Sequence, residues 1–193
     1  MSTPAPEFAT RRREELFDGM VDLFLSEGFA HLTLDEIAAR LRCSKSTLYT
    51  LADSKAHLVR SATVHFFRRA VADIEVRTAG VTGAREGIIS FLEAIGATLA
   101  PASDQFMADL DAFAPAREIY EQNTRMAADR VRGMIDAGVA DGDFRGVNAA
   151  FAADLVATML TRIQQRGVRA STGLDDASAY RELAALLTSG LRK

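Results

Sequence analysis

Apolar residues recur every three or four positions along most of this chain, which is the period of an amphipathic α-helix. The first such stretch predicts a helix over about residues 11–27, and Gly28 supplies its C-terminal stop. Strand-type alternation is missing, and no proline falls within residues 11–78. Later helices are predicted near residues 34–41, 45–51, 54–78, 84–100, 104–112, 116–138, 147–166 and 175–190. The pattern therefore predicts an all-α protein of about nine helices.

The second and third predicted helices are short and closely spaced. Thr33 and Glu36 form a capping box at the start of one, and Ser44 is placed to cap the other. Only a tight turn at Arg42 and Cys43 separates them. Two short helices joined by such a turn are typical of a helix-turn-helix, here over residues 33–52.

The second helix of such a motif lies in the DNA major groove, with its outward residues at base edges. Small polar and basic residues suit that position, and four of them are predicted to point outward, whereas Leu48 and Leu51 point inward. The predicted base-contacting residues are Lys45, Ser46, Thr47 and Thr50. The predicted phosphate-contacting residues, which offer hydroxyl, ammonium or helix N-terminal donors, are Thr33, Ser44, Tyr49 and Lys55.

Overall charge alone argues weakly against nucleic acid, because the net charge is −3 over 193 residues. The average conceals a basic stretch from Arg40 to Arg60, which contains five basic residues and one acidic residue. Phosphate binding depends on the charge in the contact surface rather than on the total. The stretch favours DNA binding, although a solvated helix surface would carry similar charges.

Residues 11–58 resemble the N-terminal domain of the TetR family of transcriptional regulators. The resemblance rests on Phe24-x-x-x-Gly28-Phe29, Thr33-Leu34-x-x-Ile37-Ala38, Ser44-Lys45-Ser46-Thr47-Leu48-Tyr49 and Ser54-Lys55-x-x-Leu58. It implies a helical homodimer with a small DNA-binding domain, here residues 10–70. A larger and more variable domain, here residues 71–193, would bind an effector and dimerise.

Three positions depart from the family pattern. Arg42 stands where family members usually have glycine, so we expect a non-glycine residue in the left-handed region there. Leu51-Ala52 replaces the usual His-Phe, and Ala56 replaces a common acidic residue. These departures concern the docking angle of the recognition helix rather than the fold.

The two last predicted helices carry the candidate dimer interface. Both have bulky apolar residues at helical spacing, and two such helices from each subunit would form a four-helix interface. The alternative is that these faces pack only within the subunit. The predicted interface residues are Phe151, Leu155, Met159, Tyr180, Leu183 and Leu187.

Large apolar and aromatic residues of the middle helices are candidates for an effector pocket. Core packing is the competing explanation for each of them, and for His65 a buried, hydrogen-bonded histidine. The candidates are His65, Phe66, Phe91, Phe106, Met107, Phe113, Tyr120 and Met126. They predict a small, lipophilic effector.

Enzyme chemistry has little support in the sequence. A single cysteine, Cys43, excludes an internal disulfide, and three histidines lack metal-ligand spacing. We therefore expect no cofactor, no metal and no catalytic site. No apolar run has membrane-spanning length and no secretory signal is evident, so we expect a cytoplasmic protein.

The sequence as a whole predicts a ligand-responsive dimeric repressor that binds a palindromic operator in double-stranded DNA. The alternative is a helical protein-interaction or ligand-binding module with a vestigial helix-turn-helix. Salt-dependent DNA binding separates the two, because a vestigial motif would release few counterions.

Overall fold

The computed structural model describes residues 5–192, with side chains from Thr10 onward. These residues contain ten helices and no strand. In chain order the helices are α1 (Ala5–Glu27), α2 (Leu34–Arg40), α3 (Lys45–Tyr49), α4 (Lys55–Thr78), α5 (Ala84–Leu99), α6 (Asp104–Ala112), α7 (Ala114–Ala140), α8 (Ala149–Gln164), α9 (Gly167–Thr172) and α10 (Asp176–Gly190). The predicted all-α class is confirmed.

Helix α9 was not predicted. The sequence there, rich in glycine, serine and threonine, has the composition of a loop. Arg166 (φ 58°) and Gly173 (φ 76°) adopt left-handed conformations at its two ends, and the buried side chain of Val168 anchors it. A six-residue helix therefore forms where propensity alone favours a linker, because packing of an apolar residue overrides that propensity.

The chain divides into two compact units. The first contains the described residues up to Arg69 together with Pro101–Ile119. Its core includes the fully buried side chains of Met20, Ile37, Leu48 and Leu58. The division into domains of residues 10–70 and 71–193 stays a prediction; the compact units place residues 101–119 with the first unit.

The second unit contains Ala70–Ala100 and the described residues from Tyr120 onward. Helix α10 packs closely on α5, because Gly96 has no side chain and lies against the ring of Tyr180. A Cβ atom at position 96 would lie 3.1 Å from that ring. Apolar side chains of α5, α7 and α8 complete the core; the largest fully buried ones are Ile88, Leu92, Val131, Ile135, Val156, Leu160 and Ile163.

No helix among the described residues is long and apolar enough to cross a membrane.

Candidate nucleic-acid interface

Helix α2 begins with the predicted capping box. The Glu36 amide donates to the Thr33 hydroxyl oxygen at 3.2 Å, and the Thr33 amide donates to the Glu36 carboxylate at 2.7 Å. The hydrogen bond from the Thr33 backbone lowers the pKa of Glu36 below its usual value. The Thr33 side chain is thus already bonded within the motif.

The turn after α2 has the predicted left-handed residue. Arg42 has φ 51°, and the Cys43 amide donates to the carbonyl of Ala38 at 2.9 Å. Cys43 is half-buried, and burial raises the pKa of its thiol, which lowers its reactivity. Arg42 is exposed just before α3. The sequence places it in the basic stretch, and it was not among the predicted DNA contacts.

Ser44 caps α3 and organises the hydroxyl groups at its start. Its hydroxyl oxygen accepts from the Thr47 amide at 3.1 Å. The same oxygen lies 2.7 Å from the Ser46 hydroxyl and 2.8 Å from the Thr47 hydroxyl. Three hydroxyl groups therefore share one patch, where each is able to donate or accept.

The outward face of α3 is polar and the inward face is apolar, as predicted. Lys45, Ser46 and Thr50 are exposed and Thr47 is half-buried, whereas Leu48 is fully buried. This arrangement presents hydroxyl and ammonium groups to solvent over a five-residue helix. A helix of this kind fits a major groove without an apolar surface being exposed when DNA is absent.

Lys45 is held by an acidic neighbour that sequence reasoning did not assign to it. Its Nζ donates to Asp35 Oδ2 at 2.9 Å. This hydrogen bond and the charge of Asp35 raise the pKa of Lys45, so the side chain is firmly cationic. This pair uses one of the three N–H donors of Lys45 and leaves two for a partner.

The two remaining predicted DNA contacts differ in exposure. Tyr49 is 49% exposed, so its ring and hydroxyl are available to a partner. Lys55 is half-buried at the start of α4, and its Nζ donates to the carbonyl oxygen of Ala30 at 2.8 Å. Burial lowers the pKa of Lys55, while the negative charges of Asp109 and Glu36 oppose that shift.

His65 has a structural partner on α1. Its Nε2 lies 2.6 Å from Asp18 Oδ1, and its ring stacks on Phe17 at 5.4 Å. Arg68 donates to Nδ1 at 3.1 Å, which leaves Nε2 as the atom that carries the proton to Asp18. This is the buried, hydrogen-bonded histidine that was the alternative to a ligand contact.

The predicted effector residues divide between the two units. In the first unit, buried Phe66 contacts Phe106 at 6.3 Å, and Phe29 contacts Phe106 and Phe113 at 6.3 and 6.1 Å between ring centroids. Buried Met107 also belongs to this unit. These aromatic rings pack on one another as core.

In the second unit, Phe91 and Tyr120 are buried, and the Arg130 guanidinium lies 4.8 Å from the centre of the Phe91 ring. Burial raises the pKa of Tyr120 well above its usual value. Met126 is 57% exposed, so it does not line an interior pocket, contrary to the prediction. Met126 was a candidate because its side chain is large and deformable, but that side chain faces solvent.

Helices α8 and α10 form an apolar groove of about 790 Å³ on the second unit. Its lining includes the predicted residues Phe151, Leu155, Met159, Leu183 and Leu187. Tyr180 has no exposed surface and packs against α5, so it does not lie on this face, contrary to the prediction. Leu186, which is 71% exposed and lines the groove, was missed although it follows the same helical stripe.

Among the described residues, no group of three or more histidine, cysteine, aspartate or glutamate side chains is arranged to hold a metal ion.

Comparison with known proteins agrees with this geometry. Residues 16–62 match the family described as bacterial regulatory proteins, tetR family. A search of curated proteins finds no match. The matched segment contains both helices of the helix-turn-helix and the start of α4.

Solved structures share the fold over nearly the whole chain. A TetR transcription regulator from Haloarcula marismortui has a TM-score of 0.78 at 18% identity, with 95% of this chain and 100% of that chain covered. The TetR family regulator PfmR from Thermus thermophilus has a TM-score of 0.66 at 21% identity, with 92% and 99% covered. A protein from Saccharomonospora viridis, described as a transcriptional regulator and solved in complex with choline, has a TM-score of 0.77 at 14% identity, with 95% and 99% covered.

Residues 16–62 thus match the tetR family of bacterial regulatory proteins, and the chain as a whole has the fold of solved structures described as regulators of that family.

Proposed function

We propose that this regulator is an effector-controlled dimeric repressor that acts in the cytoplasm on a palindromic operator. The observation that carries the proposal is the solvent-facing hydroxyl and ammonium surface of α3. An apolar groove on α8 and α10 is suited to a second copy. Each subunit would place its α3 in the major groove of one half-site.

Lys45, Ser46, Thr47 and Thr50 would contact base edges, and Thr33, Ser44, Tyr49 and Lys55 would contact phosphates. Exposure supports most of these assignments. Lys55 uses one of its three N–H donors on the carbonyl of Ala30, which leaves two for a phosphate.

A second copy of the chain would cover the groove between α8 and α10. Three apolar side chains that line it are exposed: Phe151 is 68% exposed, Leu186 is 71% exposed and Leu155 is 45% exposed. Apolar side chains gathered on one surface favour a two-fold interface, since burial of each stabilises association. Dimerisation also brings two recognition helices to two half-sites.

A small, lipophilic effector would control DNA binding. The Saccharomonospora viridis protein of the same fold holds choline, so the fold accommodates a small organic molecule. Effector binding in the second unit would change the separation of the two recognition helices, and half-sites one helical turn apart tolerate little change.

The first experiment selects bound fragments from the source genome with the purified protein at two salt concentrations. A palindromic sequence enriched at both concentrations is the expected result. No enrichment even at the lower concentration would contradict the proposal and favour the protein-interaction alternative, because phosphate contacts strengthen as salt falls.

A variant then tests the role of α3 in base recognition. Thr47→Val removes the hydroxyl and keeps the side-chain shape, so we expect a changed base preference at one position of each half-site, with about tenfold weaker binding to the selected operator. The measurement is repetition of the fragment selection with the variant. Thr161→Val, an exposed threonine on α8, is the matched control. An unchanged preference in Thr47→Val would remove Thr47 from the base contacts.

A further inference from the structure

Asp109 on α6 is a buried carboxylate with three hydrogen-bond donors around it. Oδ2 accepts from the amides of Phe29 at 2.6 Å and Ala30 at 2.7 Å. Oδ1 accepts from the side-chain amide of Gln105 at 2.6 Å. Only 5% of Asp109 is exposed, and a buried carboxylate is stable only when donors surround it.

The two backbone donors belong to the turn between α1 and α2, which lies about 80 positions earlier in the chain. Gly28 begins that turn with φ 81°. A Cβ atom there would lie 2.6 Å from Asp109 Oδ2 and 2.6 Å from Gln105 Cγ, so the carboxylate and the turn fit only with glycine. The contact is therefore close and specific rather than incidental.

Ala30 makes two hydrogen bonds that link Asp109 to the helix-turn-helix. Its amide donates to Asp109, and its carbonyl accepts from Lys55 Nζ. Residues 33–52 lie between Ala30 and Lys55 in the chain. The hydrogen bond from Lys55 to Ala30 thus joins the two chain segments that flank the helix-turn-helix. Asp109 holds Ala30 in place through its amide.

Two further contacts hold α6 against the end of α1 and the turn between α1 and α2. The Ser103 amide, just before α6, donates to the carbonyl of Leu25 at 2.8 Å. The ring of Phe106 contacts Phe29 at 6.3 Å. The start of α6 therefore contacts both the end of α1 and the turn that leads to α2.

We propose that Asp109 is a positioning residue for DNA binding, which holds the α1–α2 turn and, through Ala30 and Lys55, the orientation of the helix-turn-helix. Asp109 itself touches no DNA in this arrangement. The inference rests on the proposed use of α3 as the recognition helix, and nothing in residues 33–52 alone would point to α6.

Hydrogen exchange of the full-length protein tests this without DNA. Asp109→Ala removes the acceptors, so we expect peptides over residues 28–52 to exchange about tenfold faster, while peptides over 149–190 keep the wild-type rate. Asp109→Asn keeps one carbonyl acceptor in place and should restore most of the protection. Asp111→Ala removes an exposed carboxylate from the same helix and should leave exchange unchanged.

Wild-type exchange over residues 28–52 in Asp109→Ala would overturn the inference, as would an equal rise along the whole chain. Lys55→Met is a second variant should Asp109→Ala fail to fold, and we expect faster exchange over the same peptides. Wild-type exchange in Lys55→Met would overturn the closing role of Lys55.

Operator binding supplies the functional readout. On the site recovered by fragment selection, Asp109→Ala should bind about tenfold more weakly with the salt dependence of the wild type, because no phosphate contact is lost. A smaller salt slope would contradict a purely positioning role. If the selection recovers no site, the proposed repressor function fails, while the exchange experiment still decides whether Asp109 holds the motif.

Discussion

Arg42 departs from the pattern of the family that residues 11–58 resemble, and the fold is unchanged. Its φ of 51° lies in the region that glycine adopts at little cost. The hydrogen bond from the Cys43 amide to Ala38 closes the turn regardless of the side chain at position 42. The left-handed conformation was expected because the family that residues 11–58 resemble usually has glycine at this position.

Replacement of Arg42 by glycine should therefore stabilise the protein. Removal of the Cβ strain gains about 1–2 kcal/mol, and the greater freedom of glycine in the unfolded chain offsets about 0.5–1 kcal/mol of it. We expect a Tm higher by about 1–3 °C in thermal unfolding. Arg42→Ala removes the charge but keeps the Cβ atom, so its Tm should not rise. An Arg42→Gly protein no more stable than Arg42→Ala would show that the turn holds no strain.

At the scale of elements, α1 and α4 are joined through the Asp18 carboxylate. Its Oδ1 accepts from His65 at 2.6 Å and from Arg69 at 2.8 Å. Partial burial raises the pKa of Asp18, but the His65 hydrogen bond and the Arg69 charge outweigh it, so the pKa is lowered overall. A carboxyl group of this kind stabilises the fold above the unfolded-state pKa, and that stability is lost as the pH falls through the folded-state value.

Stability should consequently fall with pH in a way that depends on Asp18. Between about pH 5 and pH 3, the Tm of the wild type should fall more steeply than that of Asp18→Asn, which has no carboxyl group to protonate. Asp22→Asn, on the exposed face of the same helix, should follow the wild type. Parallel slopes for the wild type and Asp18→Asn would contradict this role for Asp18.

Local sequence patterns predict several helix ends correctly. The Thr33 and Ser44 caps and the ends of α6 follow from residues within one turn of each other, and the structure confirms them. Helix α9 was missed because its stability comes from burial of Val168, a contact that lies outside the local sequence.

At the scale of the whole molecule, the apolar groove on α8 and α10 is exposed, and we propose that a second copy of the chain covers it. Phe151→Glu should abolish the proposed dimer, because it removes an apolar contact worth about 1.5–3 kcal/mol per subunit and introduces a charge. Sedimentation velocity should show a dissociation constant at least 100-fold higher, and operator binding should weaken with it.

The control for this prediction is Val76→Glu. Val76 is 75% exposed on α4 and does not line the groove, so the variant should remain a dimer. A Phe151→Glu protein that dimerises as tightly as the wild type would place the interface elsewhere.

The sequence by itself determined the helices other than α9, the caps of α2 and α3, and the helix-turn-helix, because each depends on spacings within about ten residues. Leu48 inward and Ser46 outward follow from the helical period alone. The tertiary structure decided which surface each apolar face meets. Tyr180 and Leu186 lie on one helix with a continuous apolar pattern, yet packing of α10 on α5 buries the first and leaves the second in solvent.

The tertiary structure also decided which charged groups meet. The pairing of Lys45 with Asp35 and the seating of Asp109 on the α1–α2 turn join residues that no periodicity relates. Such contacts depend on the three-dimensional position of whole helices, and in the case of Asp109 on a glycine about 80 positions away that leaves room for the carboxylate. The pattern of apolar and polar residues thus determines which face of each helix is apolar, and long-range packing determines which residues come into contact.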